Sequence, residues 1–556
     1  MRKTTKLYWA PWRYIPGRYK QGEYYRNSCD QEGFKIGYRS YGKRLYMRKL
    51  IVPFILVSLI CFHIKPALAH GFGERYDLPV PLNLFIFGAA LTVGISFIVI
   101  AFFVKSSTSN IRYFKYNLLS IGAIAKVLTS NLFTCVVKTL SVGIFILVIV
   151  AGIIGNSNPI DNISPTFIWV IWWIGIVYIT SLFGNIWYFL NPWKTIFEWA
   201  EQLNGKPFRK NIQYKSNWDI WPAVILFFIF IWIENVYTYA ASPPHLSVLI
   251  ILYSIITWWG MAAFGKHYWL KHGEFFSVLF GFFSKLSITE VQVPGKTTCS
   301  QSNLVCSTDY EDCVDCYQCY ETANNSNLEV KLNLRPLSVG LILPHHISTG
   351  TAAFVILMLA SVTFDGLSET PIWRSIQNTF YGAGSLFGSN QLGAINTVGI
   401  LIMPLIFLGL YMTFSWATKK LANEVVPVSS IAKAFVISLI PIALAYNLAH
   451  YIGLLTIQGQ FMIPLLSDPL GLGWDIIGTK NYKIELNVIN TKAIWYVSVG
   501  AIVIGHIISV YAAHVISLSR PVKRHLALKG QYPMLLLMII YTASSLWIIA
   551  QPITER

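Results

Sequence analysis

The chain has 556 residues, of which 54% are hydrophobic and only 12% charged, and its formal net charge is +18 at pH 7. Soluble domains carry about 25% charged residues, so the composition excludes an ordinary soluble protein, a disordered chain and a collagen-like chain. Apolar stretches of about 20 residues recur throughout, which indicates a polytopic helical membrane protein in a lipid bilayer. The basic residues lie in separate loops rather than in one patch, which argues against a nucleic-acid partner.

The first part of the chain has the features of a leader. Residues 1–46 are basic, and residues 47–69 have the pattern of a secretory signal peptide. A charged triplet starts at Met47, an apolar run follows, and Ala67-Leu68-Ala69 supplies the small residues of a cleavage site. We therefore predict that the signal is cleaved, and that residues 1–46 are either untranslated or a disordered cytosolic tail. The alternative is an uncleaved anchor helix.

Ten later apolar runs are long enough to span a membrane, which predicts an all-α transmembrane bundle. They cover approximately residues 81–104, 132–154, 165–189, 219–241, 246–265, 349–366, 394–416, 431–455, 495–518 and 532–550. Lysines and arginines are concentrated in every second loop, so the positive-inside rule places both mature termini outside. The predicted halves of five spans each, 70–286 and 347–556, are separated by a cytosolic loop, 287–346.

The cytosolic loop contains the most specific motif of the chain. Its cysteines are Cys299, Cys306, Cys313, Cys316 and Cys319. The last three form a CxxCxxC motif, whose spacing is typical of zinc or iron–sulfur ligands. No Cys-Pro follows at the ferredoxin distance, so the fourth ligand would be Cys306, Cys299, His345 or His346. Thiols without a metal are the alternative, and disulfides would be favoured if the loop faced the outside.

Several ionisable residues map to the outer third of the predicted bundle, where they are costly and commonly functional. Signal cleavage would expose His70, whose amine and imidazole together suit a metal such as copper or zinc. His245, Glu234, Asp365 and His450 lie at the same depth. We predict an outward pocket with metal ligands His70, His245 and His450 and with catalytic residues His450, Asp365 and Glu234. The alternative is that each residue makes an ordinary helix–helix hydrogen bond.

Two further histidines lie deep in the ninth predicted span. His506 is near its middle and His514 near its inner end. Eight residues of helix correspond to about 12 Å of rise, so one ion cannot bind both side chains.

Several stretches resemble bacterial multi-pass membrane proteins identified as fenitrothion hydrolases. They are His70-Gly-Phe-Gly-Glu-Arg-Tyr-Asp-Leu-Pro-Val-Pro-Leu, Val362-Thr-Phe-Asp-Gly with Ser368-Glu-Thr-Pro, Ala449-His-Tyr through Gln458-Gly-Gln, Gln531-Tyr-Pro-Met and Ala550-Gln-Pro. The resemblance covers most of residues 70–556. It implies an enzyme of the bacterial inner membrane that hydrolyses a phosphotriester-like small molecule with metal-activated water.

Three functions remain open from the sequence. The first is a metal-dependent hydrolase at the outward pocket, which the resemblance favours. The second is a membrane redox or metal-handling protein that uses the CxxCxxC loop. The third is a transporter, or a subunit of a larger membrane complex with partner subunits.

Overall fold

The computed structural model describes residues 81–104, 113–208, 212–294, 313–326, 328–343, 347–382, 390–485 and 490–551. All of them belong to one compact unit, Gly73–Arg556. The predicted signal peptide, His70, Cys306 and the pair His345 and His346 lie outside the described residues.

The helices of the first half alternate between spans and short connecting helices. They are α1 (Leu82–Phe103), α2 (Gly122–Leu128), α3 (Asn131–Ile154), α4 (Ile163–Phe183), α5 (Trp187–Leu190), α6 (Pro192–Asn204), α7 (Trp221–Val236), α8 (Pro243–Phe264), α9 (Lys266–His272) and α10 (Phe275–Phe283). The spans among them are α1, α3, α4, α7 and α8. The predicted third span ends early, at Phe183, because Gly184 has a φ of 90° and turns the chain out of the helix.

The cysteine segment and the second half supply the remaining helices. They are α11 (Tyr317–Asn325), α12 (Thr349–Ser368), α13 (Pro371–Phe380), α14 (Gln391–Ala422), α15 (Val428–Ser467, with two short 3-10 turns inside it), α16 (Thr491–Ser519) and α17 (Arg524–Ile549). Here α12, α14, α15, α16 and α17 are long and apolar enough to span. The described part of the chain therefore contains ten such helices, which confirms the predicted all-α polytopic bundle.

The centre of the bundle is α12. Of its apolar stretch, 83% is buried in the protein, compared with 11% for α14, whose side chains face outwards along most of its length. Phe354 on α12 stacks on Phe227 of α7 with ring centroids 4.9 Å apart, and Tyr178 of α4 donates to the Asn447 carbonyl of α15. The two predicted halves are thus packed directly against each other around α12.

A small antiparallel sheet lies at the end of the bundle where α12 begins, which we call the cysteine end. Its strands are β1 (Tyr116–Asn117), β2 (Thr289–Val293), β3 (Cys313–Val314) and β4 (Lys331–Leu334), in the order β1-β4-β2-β3. Tyr116 pairs with Leu334, so the first loop and the cysteine segment meet at one end, as the positive-inside pattern predicts. The sequence did not predict this sheet. The opposite end, where α12 finishes, is called the Asp365 end.

Close packing of α15 against α16 generates a testable prediction. A Cβ on Gly505 would lie 2.3 Å from the Cβ of Ala445 and 2.8 Å from the carbonyl oxygen of Pro441. Gly505→Ala is therefore expected to push the two helices apart and to destabilise the protein by about 1–3 kcal/mol. The thermal unfolding midpoint in detergent measures this effect.

Gly500→Ala is the matched control, because a Cβ at Gly500 of the same helix meets no atom within 4 Å. Its midpoint should stay equal to the wild-type value or rise slightly, since alanine is the better helix former. Equal losses in both variants would contradict the close approach at Gly505.

Candidate functional site

Asp365 and His450 are in direct contact at the Asp365 end of the bundle. Asp365 lies in the last turn of α12 and is 8% exposed, while His450 lies on α15. The Nε2 atom of His450 is 2.9 Å from Oδ2 of Asp365, and the hydroxyl of Tyr451 donates to the same oxygen over 2.6 Å. The structure therefore brings together two of the residues that the sequence places at a common depth.

The close approach of α15 to α12 depends on a glycine next to Asp365. A Cβ on Gly366 would lie 2.5 Å from the hydroxyl oxygen of Tyr446, so any other residue would push that tyrosine away. Tyr446 precedes His450 by four residues on α15, and the two rings are nearly parallel with centroids 6.2 Å apart. Gly366 thus allows the tyrosine to pack beneath the imidazole.

The Asp365–His450 contact determines what this site can do chemically. A buried carboxylate loses its hydration, and the hydrogen bonds from Tyr451 and His450 offset that cost. In return, the carboxylate fixes the orientation of the imidazole, a group that can accept and release a proton. The His450 side chain is 13% exposed, so the imidazole is partly accessible.

Glu234 and His245 have local partners. Glu234 on α7 accepts a hydrogen bond of 2.8 Å from the indole nitrogen of Trp173. His245 is exposed at the start of α8, where its ring stacks on Tyr239 with centroids 4.7 Å apart and its Nδ1 is 3.0 Å from the Ser242 hydroxyl.

These contacts bear on the predicted outer metal site. A catalytic metal commonly takes three protein ligands. Within the described residues, no three carboxylates or imidazoles have ligand atoms within 4.8 Å of one another, so Glu234, His245, Asp365 and His450 do not form such a set. The remaining predicted ligand, His70, lies outside the described residues.

The cysteines form a compact group at the cysteine end. Cys313 lies in β3, Cys316 caps the start of α11, and Cys319 lies in its first turn. Their three sulfur atoms are within 4.8 Å of one another, which is a spacing that could hold a metal ion. All four candidates for the fourth ligand, Cys299, Cys306, His345 and His346, lie outside the described residues.

The redox states within this group differ. Cys316 carries a thiol, whereas Cys313 is disulfide-bonded and would need reduction before it could act as a thiolate ligand. The backbone N–H of Cys319 donates to the Cys316 sulfur over 3.3 Å. A side-chain hydrogen bond with Cys319 lowers the pKa of Cys316 to about 7, so the thiolate is well populated at neutral pH.

A turn and an ion-pair network shape the cysteine group. Asp315 has a φ of 55°, which reverses the chain between Cys313 and Cys316 and turns both towards Cys319. Its carboxylate lies 2.7 Å from Nη1 of Arg335, which also reaches Glu290 at 3.4 Å. This arginine is buried between the segment before β2 and the segment after β4.

A second ion-pair network anchors α11 to the bundle through Glu321. Lys194 of α6 lies 2.7 Å from its carboxylate, Lys138 of α3 lies 3.4 Å away, and the Tyr188 hydroxyl donates over 2.7 Å. Lys194 is only 1% exposed, and its ammonium lies 3.6 Å above the Tyr188 ring. Lys194 is one of the basic residues between the predicted spans 165–189 and 219–241. Sequence reasoning did not identify this network, because one sequence does not reveal which distant charges pair.

Comparisons with protein-family models, with curated proteins and with solved structures gave no match to this chain. No relative therefore assigns a role to Asp365, His450 or the cysteines. The resemblance to fenitrothion hydrolases stays a prediction from the sequence, and the roles proposed below depend on the contacts described above.

The charge network at Glu321 predicts a pH-dependent loss of stability. Burial alone would raise the pKa of Glu321, but the charge and hydrogen bond of Lys194 outweigh it and hold that pKa at about 2. A depressed carboxyl pKa stabilises the fold above the unfolded value of about 4.3, and the gain disappears as the pH falls towards 2. Glu321→Gln should lower stability by about 1–3 kcal/mol at pH 7.

Thermal unfolding of both proteins in detergent between pH 7 and pH 3.5 tests this expectation. The difference between wild type and variant should be constant down to about pH 5 and then shrink. Glu329→Gln is the control, since that carboxylate is 68% exposed and, among the described residues, pairs with the surface residue Lys331. A Glu321→Gln protein as stable as wild type at pH 7 would show that the network does not anchor α11.

Proposed function

We propose that this chain is a hydrolase of the bacterial inner membrane that acts on phosphotriester-like small molecules at the Asp365 end. The observation that carries the proposal is the buried contact between the Asp365 carboxylate and the His450 imidazole. Ionisable groups inside a membrane bundle are costly and commonly functional. Both residues also lie in stretches that resemble fenitrothion hydrolases.

The chemistry follows from an oriented histidine base. The imidazole of His450, aligned by Asp365, takes a proton from a water molecule, and the water oxygen forms a bond to phosphorus. The bond between phosphorus and the aryloxy oxygen breaks, and the phenolate leaves with the electron pair. The imidazolium then returns its proton to solvent or to the phenolate. Because the described residues form no three-ligand set at this end, no step is assigned to a metal.

The test is phenolate release from a chromogenic phosphotriester by the purified protein in nanodiscs. Removing a general base typically costs a factor of 10²–10⁴ in rate, so His450→Gln should lose about that much of the wild-type turnover. Asp365→Asn should also lose activity, because the amide cannot stabilise the imidazolium. The exposed His525 at the start of α17 offers the control His525→Gln, which should retain full turnover.

Two outcomes would contradict this function. One is wild-type protein that releases no phenolate above the rate in empty nanodiscs. The other is His450→Gln protein with unchanged turnover. If activity depends equally on His245 and is abolished by a chelator, the reaction is metal-assisted and uses the wider set of residues predicted from the sequence.

We propose, as a second candidate function, metal binding at the cysteine end. Its specific support is the spacing of the Cys313, Cys316 and Cys319 sulfur atoms, all within 4.8 Å of one another. Such a spacing suits zinc or an iron–sulfur cluster once Cys313 is reduced. A structural zinc site is compatible with the hydrolase, whereas an iron–sulfur cluster would favour a redox function.

Elemental analysis of protein purified with a phosphine reductant tests the cysteine site. We expect about one equivalent of zinc, or iron with acid-labile sulfide, and we expect Cys316→Ser/Cys319→Ser protein to lose it. Cys135→Ser is the matched control, because Cys135 is a free and exposed cysteine on α3 outside the group. Metal-free wild-type protein after reconstitution with zinc and with iron plus sulfide would refute metal binding here.

A further inference from the structure

A second group of polar side chains lies inside the second half, where α12, α15, α16 and α17 meet. Among the described residues, four buried polar atoms of this region have no hydrogen-bond partner: the Tyr446 hydroxyl, Asn447 Oδ1, His506 Nε2 and the Ser545 hydroxyl. All four side chains are less than 5% exposed. A buried polar atom without a partner costs about 1–3 kcal/mol, so such a group in one junction requires an explanation.

Tyr541 of α17 connects these groups to one another. Its ring lies 6.4 Å from that of Tyr446 and 6.0 Å from that of His506, measured between centroids. Its hydroxyl is 2.6 Å from the hydroxyl of Thr363 on α12. Since Tyr446 also stacks on His450, an almost continuous series of polar side chains leads from the Asp365 site to the middle of α16.

The series continues towards the cysteine end of α16. His514 lies two turns beyond His506, about 12 Å along the helix. Its Nδ1 is 2.8 Å from Oε1 of Gln531, and its Nε2 is 3.0 Å from the carbonyl oxygen of Val104 at the end of α1. A cavity of about 10 Å³ is lined partly by Gln531, the partner of this histidine, and by Val510 and Met538. Its size is close to the lower limit for one water molecule.

We propose that the polar column, defined as Asp365, His450, Tyr446, Tyr541, His506, Gln531 and His514, conducts protons through the second half of the bundle. The ring separations of about 6 Å along His450, Tyr446, Tyr541 and His506 are too long for direct transfer, so one water molecule must bridge each of them. The step of about 12 Å from His506 to His514 needs a chain of several water molecules. A bridging water needs two to four polar partners, and the unpartnered Tyr446 hydroxyl and His506 Nε2 supply two of them within the column.

Imidazole and hydroxyl groups suit this role because each can accept one proton and release another. The Nδ1 atom of His506 is 2.7 Å from the Ile502 carbonyl oxygen, so this residue takes up and releases its proton at the unpartnered Nε2 atom. No group is oxidised or reduced, and every side chain returns to its starting protonation state after one proton has passed. The driving force is the proton gradient or the membrane potential. The proposal does not require the hydrolytic reaction, because five of the seven column residues lie deeper in the bundle than Asp365 and His450.

Proton flux into vesicles that contain the purified full-length chain tests the polar column. The vesicles enclose the pH dye pyranine, and a potassium gradient with valinomycin sets an inside-negative potential. We expect the wild-type protein to acidify the interior several-fold faster than protein-free vesicles. His506→Leu and Tyr541→Phe should reduce the flux at least about tenfold, whereas His525→Gln should not change it.

Tyr446→Phe guards against a folding defect, because it removes only an unpartnered hydroxyl and keeps the ring in place. We expect it to elute as a monodisperse protein and to lose most of the flux. Wild-type flux equal to that of protein-free vesicles overturns the proposal, as does unchanged flux in His506→Leu and Tyr446→Phe. A His506→Leu protein that still hydrolyses the phosphotriester would separate proton conduction from the proposed hydrolase.

Discussion

The fold depends on the Asp365 carboxylate, which α12, the most buried of the spanning helices, holds among apolar helices near one end of the bundle. No water replaces its hydration at that depth unless the protein provides a place for it, so neighbouring helices must donate hydrogen bonds. Tyr451 and His450 do so from α15, and Gly366 lets that helix come close enough. The position of α15 against α12 is therefore set by polar contacts as well as by apolar packing.

The cysteine end satisfies its buried charges in a different way. Glu321 forms ion pairs with two lysines of the first half. Arg335 forms ion pairs with Asp315 and Glu290 at the small sheet. Buried ion pairs give little net stability compared with apolar contacts, but a broken pair is costly. The two networks therefore hold α11 and β3 in one place, which fixes the relative positions of the cysteines that those elements carry.

The sequence predicted the features that follow directly from hydropathy and charge, namely the number of spans and the depth of each residue in the membrane. Span number and depth follow from bilayer thickness, so Asp365 and His450 could be assigned to a common level. Their contact could not be predicted, because it depends on how α12 and α15 are rotated about their axes. The strand β1 at Tyr116 could not be predicted either, because two residues are too few to show the alternation of apolar and polar side chains that indicates a strand. Its pairing residue, Leu334, is also remote in sequence. Lys194 is a basic residue between two predicted spans, as the charge pattern indicates, but its burial depends on its pairing with the distant Glu321.

The two candidate sites occupy opposite ends of one helix. About 24 Å of rise separates the first residue of α12, which follows the cysteine segment, from Asp365. A metal at the cysteines therefore cannot touch a substrate at His450, and its role there would be structural, or it would act by electron transfer. The proposed polar column lies between these depths in the second half. Its buried residues fit the passage of protons better than that of any other species. A link between the two ends of the protein would in that case be carried by protonation rather than by a shared ion.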